Sequence, residues 1–345
     1  MPDISENISK ENIKSWFEKR HLVMAIIWLA VSVSLVTMLI LNVRNNYQFG
    51  IARYVMQIAY VLVLLWYISK TGYSASQLPD IRPMVFPRWR YGNLIPVIAV
   101  ALLLVLHIFS DSGESILTLL LIISTVWLLV VWRREIRLRM VIFGFAAVLI
   151  AFLGGLPFWQ NSAIPEIAFI VYLVFALPIF VAGALLHKHT DLSGIQLLTG
   201  NFGKIMLSFL WDCLFFVPLG LINAIDDSSG AGFTWVSQWW MPLSLPFFSG
   251  IVEEIWFRLL LVGLCYFLLR PAFTKKPALA VVVTVLFSAI TFGLGHGRTF
   301  DKFLTTGLLY GLPMAVVFVK RDFEHAVGAH YMVNMISVLK DFLMN

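Results

Sequence analysis

Charge is what this chain has least of. Only 13% of its 345 residues are Asp, Glu, Lys or Arg, while 60% are hydrophobic. A soluble globular domain carries about a quarter charged residues, so that class is excluded. Cysteine is nearly absent as well. Cys213 and Cys265 both fall in apolar runs, 52 residues apart, without the CxxC or Cys/His spacing of a zinc site, which excludes a disulfide framework and a cysteine-held metal. No HExxH occurs, and no internal repeat or low-complexity tract is visible. The excess of positive charge, +6, is dispersed rather than clustered, which speaks against nucleic acid as a partner. The first 21 residues are polar and charged, so no cleavable signal peptide is expected and the first apolar run should remain as an anchor.

What the chain does have is apolar runs, near 22–43, 51–69, 94–110, 115–132, 140–158, 166–186, 205–225, 243–269, 278–296, 303–319 and 325–343. Each approaches the roughly 20 residues that a membrane-crossing helix needs. The expected fold is therefore all-α, a polytopic transmembrane helix bundle of about 10–11 spans. Lys and Arg alternate between the connecting segments. With the N-terminus inside, 19 of the 25 fall in segments on the cytoplasmic side and four in segments opposite, the bias that sets membrane orientation. The expectation is an integral, multi-pass protein of a bacterial or archaeal cell membrane, with the bilayer as its first partner.

Polar residues divide the chain in two. Residues 1–190 hold six runs with almost no ionisable group at mid-span; His107 is the exception and is expected near an interface or in a helix contact. The stretch 187–204 is polar and reads as a linker, where His187 and His189, two apart, do not share a helix face. From 205 to 345 polar groups enter the spans. Asp212 is the first and needs a partner or a water-filled cavity. Trp235, Trp239 and Trp240 suit an interfacial belt, where the ring is apolar and the N–H stays wet.

The second region also contains EEIWFR, placing Glu253, Glu254 and Arg258 inside one apolar run. Each ionisable group at membrane depth costs about 2.5–3.5 kcal/mol on insertion scales, so three within six residues call for partners and a use. Glu254 and Arg258 stand at i,i+4 with the acid first, the favourable order for an ion pair. Glu253 projects about 100° away and is the free carboxylate, placed to act as a general base or acid. TFGLGHGR sets Phe292 and His296 on one helix face, and HYMVN sets His330 and Asn334 on another. A carboxylate, two histidines and an amide on three runs are the groups needed to activate water and stabilise an oxyanion.

EExxxR, FxxxH and HxxxN in this order resemble the CPBP family of intramembrane proteases, the CAAX prenyl proteases and their bacterial Abi or bacteriocin-immunity relatives. The resemblance covers about 240–340, within a catalytic core at 205–345, and leaves 1–190 without a role. It implies an intramembrane endopeptidase acting on a membrane-associated, in some relatives prenylated, peptide or protein. Glu253 and His296 would activate water; His330 and Asn334 would serve the oxyanion or a metal, with Glu254, Arg258 and Phe292 in support. Two mechanisms stay open: zinc held by His296, His330 and a Glu253 oxygen, or carboxylate catalysis without metal, since Asn is a poor zinc ligand. A non-proteolytic immunity or regulatory protein that binds a peptide or protein in the same cavity is the alternative, and a proton-coupled transporter is a third reading. One difficulty is geometric. With complete spans, His296 falls near the outer end of its run and His330 about two turns from the inner end of its own, almost a bilayer apart, unless the run 278–296 stops midway, the run 303–319 is short or re-entrant, or the span count is off by one.

Overall fold

The computed structural model describes residues 4–45, 49–71, 98–103, 105, 112–159, 165–197, 202–226, 236–274 and 276–344. His107, Trp235 and part of the run at 94–110 lie outside the described residues. Among the described residues there is no strand, and ten longer helices carry the fold. They are α1 (Ile4–Asn45), α2 (Gly50–Thr71), α3 (Ser112–Val131), α4 (Leu138–Gly154), α5 (Pro165–Lys188), α6 (Phe202–Asp226), α7 (Met241–Glu254, continuing through Ile255–Val262 and Gly263–Leu269), α8 (Pro277–Gly295), α9 (Phe300–Lys320) and α10 (Phe323–Met344). Within α7, Ile255–Val262 is π-helical, as is Phe303–Gly311 within α9.

The protein is an all-α, multi-pass membrane bundle. Among the described residues α1, α2, α5, α6, α8 and α9 each contain a stretch long and apolar enough to cross a bilayer, and α3 and α4 are shorter apolar helices. The burial pattern is that of a protein dissolved in lipid. Leu22, Ile26, Leu29 and Val33 on α1 and Ile142 and Phe145 on α4 face outward, while Gln57, Asp212, Glu254 and Arg258 are inside. Lipid tails are as apolar as leucine, so nothing drives those outer faces inward; the polar side chains must find each other instead.

One apolar core runs through both halves of the sequence. Leu35, Leu64, Phe180, Phe216, Leu259, Phe318 and Val333 all belong to it. Polar ties cross it: Trp28 donates to the Leu214 carbonyl at 2.8 Å and Tyr60 to that of Phe215 at 2.7 Å. Cys213 and Cys265 are buried free thiols. His187 and His189 are kept apart. His187 Nε2 lies 3.1 Å from the Leu259 carbonyl, whereas His189 stacks on Trp132 at 4.1 Å and bonds Glu135 at 3.0 Å. Burial pushes the Glu135 carboxyl up, but Lys188 and His189 outweigh it and hold the group below the ordinary carboxylate range.

The turn between α9 and α10 is clamped by charge. Asp212 on α6 meets Arg321 at 3.0 Å, and the same guanidinium donates to the Thr71 carbonyl at 2.6 Å and to Thr71 Oγ1 at 3.1 Å. The ends of α2 and α9 and the side of α6 thereby meet on one buried cation. Glu324 accepts the backbone N–H groups of Gln196 and Leu197, at 3.2 and 2.7 Å, so the segment after α5 is fastened to the start of α10.

Close backbone contact aligns α8 with α9. A Cβ on Gly293 would sit 2.7 Å from both Cα and N of Gly307, so only glycine admits this approach. After Gly295 the chain stops being helical at His296 and leaves through Gly297 at φ +143°, a left-handed conformation natural to glycine after a helix end. α8 ends beside the middle of α7 rather than beside its start, because Ser288 bonds the Phe257 carbonyl at 3.0 Å and His296 comes level with Glu253. This removes the separation that complete, level spans would impose on His296 and His330.

Replacing Asp212 by Ala would leave Arg321 buried without its carboxylate. Breaking one side of a buried pair costs about 3–5 kcal/mol. The expected outcome is a correspondingly lower unfolding free energy of Asp212→Ala in mixed micelles; wild-type stability would show that the remaining partners, Thr71 among them, satisfy the guanidinium.

Candidate active site

Helices α7, α8 and α10 supply the polar cluster. Glu253 and Glu254 end the regular part of α7, and the π-helical stretch begins at the next residue. A π-turn places more residues per turn and shifts the carbonyl register, a feature frequent at functional sites. Glu254 and Arg258 are both fully buried, with Arg258 Nε 3.3 Å from Glu254 Oε2. The expected i,i+4 pair is therefore present. Arg258 also donates to the Gly311 carbonyl at 3.2 Å, where the π-helical part of α9 ends, and its guanidinium lies 4.4 Å from the Phe292 ring centroid.

The other oxygen of Glu254 reaches a histidine. His330 Nδ1 lies 2.9 Å from Glu254 Oε1, and a carboxylate already facing a guanidinium can only accept, so Nδ1 carries the proton. The remaining nitrogen, Nε2, lies 3.7 Å from Glu253 Oε2. His296 repeats the arrangement by another route. Its Nδ1 lies 2.8 Å from the Phe292 carbonyl, an obligate acceptor, so the neutral ring has its lone pair on Nε2, 3.6 Å from Glu253 Oε2. Phe292 holds both rings in place, packing on His296 at 4.6 Å and edge-on to His330 at 5.8 Å.

Three polar atoms thus converge: Glu253 Oε2 and the Nε2 atoms of His296 and His330. Glu253 Oε2 is buried and makes no hydrogen bond within the protein. A water molecule fits these positions, since it can donate to the carboxylate and to an imidazole and keep an oxygen lone pair for attack. Among the described residues no three His, Cys, Asp or Glu side chains are grouped as a metal ion would need, and no step below passes through one.

Access is one-sided. The side chains of His296 and Glu253 are 39% and 26% exposed, against 5% for His330 and none for Glu254. Of the residues singled out in the sequence, Glu253, Glu254, Arg258, Phe292, His296 and His330 form one contiguous cluster. Asn334 lies on the same seam of α7 and α10, where one of its amide protons goes to Ser249 Oγ at 2.8 Å. Ser249, one turn before Glu253, is the partner that sequence reasoning missed; its only signal is the helical spacing from the glutamate. Gly250 beside it brings α7 to within 3.4 Å of the α10 backbone at Tyr331, measured from the position a Cβ would take.

A membrane helix bundle with carboxylate and imidazole groups facing a common point is the class that this geometry defines. Residues 235–336 match the family model described as "Type II CAAX prenyl endopeptidase Rce1-like", a stretch that contains every residue of the cluster. The match agrees with the CPBP resemblance and supports an intramembrane protease of the CAAX type. No curated protein and no solved structure matches the chain.

Truncating Arg258 would strand Glu254 without its cation in a fully buried setting. Arg258→Ala should unfold with about 3–5 kcal/mol less free energy, read from chemical denaturation in micelles. Arg258→Lys should recover only part, because a point ammonium cannot serve Glu254, Gly311 and the Phe292 face at once; equal stability of all three proteins would remove the ion pair as a structural element.

Proposed function

We propose that the chain is an intramembrane endopeptidase that hydrolyses a peptide bond of a membrane-associated peptide or protein, using Glu253 and His296 to activate water without a metal. The observation that carries this reading is the isolated Glu253 oxygen facing two imidazole nitrogens whose opposite nitrogens are committed elsewhere. Glu253 takes a proton from water as its oxygen bonds to the scissile carbonyl carbon. The negative charge that develops on the carbonyl oxygen is met by His330 in its imidazolium form. In that form Nδ1–H stays on the Glu254 carboxylate and Nε2–H donates. The second amide proton of Asn334 is available to the same oxyanion while Ser249 orients the group.

The proton held between Glu253 and His296 then passes to the leaving nitrogen, the C–N bond breaks, and the products are a carboxylate and an amine. His296 is suited to this step because its ring is fixed by the Phe292 carbonyl and its side chain is partly exposed. Glu254 and Arg258 act through His330 and do not meet the substrate; they set its tautomer and orientation. Prenylation of the substrate is supported only by the name of the matched family.

General acid–base groups typically contribute 10²–10⁴ in rate. Glu253→Gln and His296→Ala should therefore lower kcat for membrane-peptide cleavage by at least about 100-fold while the purified proteins keep wild-type helicity and unfolding temperature. A chelator should leave wild-type turnover unchanged. Loss of turnover restored by added zinc would replace this mechanism with a metal-dependent one, and full activity of both variants would place the site elsewhere.

A further inference from the structure

The turn between α3 and α4 carries charge that the protein leaves uncompensated. Residues 132–139 read WRREIRLR, and Arg133, Arg134, Arg137 and Arg139 are all exposed. The acid among them faces elsewhere. Both oxygens of Glu135 are engaged at the end of α5, one by Lys188 Nζ and the other by His189 Nε2, each at 3.0 Å. Among the described residues Arg133, Arg134 and Arg137 form no ion pair. The next helix supplies no countercharge either, since α4 begins at Leu138 without an acid in its first turn.

The turn stands at the rim of the apolar surface. Trp127, Val130 and Val131 of α3 and Leu138 and Ile142 of α4 are exposed, so lipid-facing side chains run up to the arginines from both helices. Trp127 and Trp132 lie 6.5 Å apart at that boundary, where indoles collect between hydrocarbon and water. The turn is also held in place. Trp132 stacks on His189 at 4.1 Å and meets Phe267 edge-on at 5.9 Å, and with Glu135 tied to α5 the guanidiniums stay at the edge of the apolar belt. We propose that this turn is a binding surface for anionic phospholipid headgroups in the leaflet at that end of the bundle, with Arg133, Arg134 and Arg137 as its cationic contacts. Basic clusters beside membrane helices are drawn to anionic lipid, and a planar guanidinium matches two phosphate oxygens at once. A zwitterionic headgroup carries no net charge to answer three cations. The assignment is independent of the cleavage chemistry and gives α3 and α4, outside the matched stretch 235–336, a part in seating the bundle.

The test compares binding of phosphatidylglycerol and phosphatidylcholine to the full-length protein in uncharged micelles, with Kd read by native mass spectrometry. One basic side chain at an anionic surface is worth about fivefold in affinity. Wild type should therefore prefer phosphatidylglycerol by roughly 100-fold, and added salt should narrow the difference. Arg133→Gln, Arg134→Gln and Arg137→Gln should each reduce the preference about fivefold. All three together should bring it toward one while helicity and unfolding temperature stay as in wild type. Replacing the same three by Lys keeps the charge and should keep most of the preference. The Phe323 N–H bonds the Gly194 carbonyl at 2.8 Å, so the end of α9 shares a face with the turn, and Lys302 begins that helix at the opposite face. Lys302→Gln should accordingly leave the preference unchanged. Equal binding of the two lipids by wild type, or a preference that the triple Gln variant retains, would overturn the surface. Displacement of the lipid by equimolar glycerol phosphate would overturn the lipid as its occupant in favour of a soluble phosphate.

Discussion

The arrangement turns on one buried carboxylate, that of Glu254, held between Arg258 and His330. A charge with no solvent is tolerable only when both oxygens are engaged. Arg258 Nε faces one oxygen at 3.3 Å as an ion pair without a hydrogen bond, and His330 bonds the other. That requirement fixes three helices at once: α7 carries the acid and the cation, α10 must bring His330 to bonding distance, and α9 must present the Gly311 carbonyl to the guanidinium. The geometry of the candidate site is a by-product of this constraint. Once His330 has given Nδ1–H to Glu254, its other nitrogen has nowhere to point but toward Glu253.

The helical spacing of the sequence made much of this readable. Glu254 with Arg258 and Phe292 with His296 are i,i+4 pairs, and a helix brings such residues together whatever surrounds it. Asp212 was equally legible as a group in need of a partner, since no lone carboxylate survives among apolar side chains. The partner itself was not, because Arg321 is 109 residues away and sits in a segment that reads as a positively charged turn. Thr71, which completes that clamp, looks like an ordinary helix end.

Backbone register was harder still. The π-helical stretches in α7 and α9 differ from α-helix by hydrogen-bond pattern alone and leave no mark in composition. Yet they decide which carbonyls are available, and Leu259, inside the first of them, is the acceptor for His187 of α5. The relative height of His296 and His330 was likewise hidden. Apolar runs give the length of each helix but not its slide along its neighbours, and here the slide of α8 follows from the Gly293 and Gly307 contact and from Ser288. Ser249 escaped notice for a related reason: one serine gains meaning only once Asn334 is opposite.

The uneven exposure of the two imidazoles gives the cluster a direction. His296 and Glu253 are partly exposed while His330 and Glu254 are not, so in the proposed reaction a proton that joins or leaves Glu253 does so on that one face. The enclosed face keeps a fixed ion pair and the open face trades with the surroundings. Resetting the proposed centre would then fall to the open face, where a helix end rather than the interior of the bundle governs the exchange.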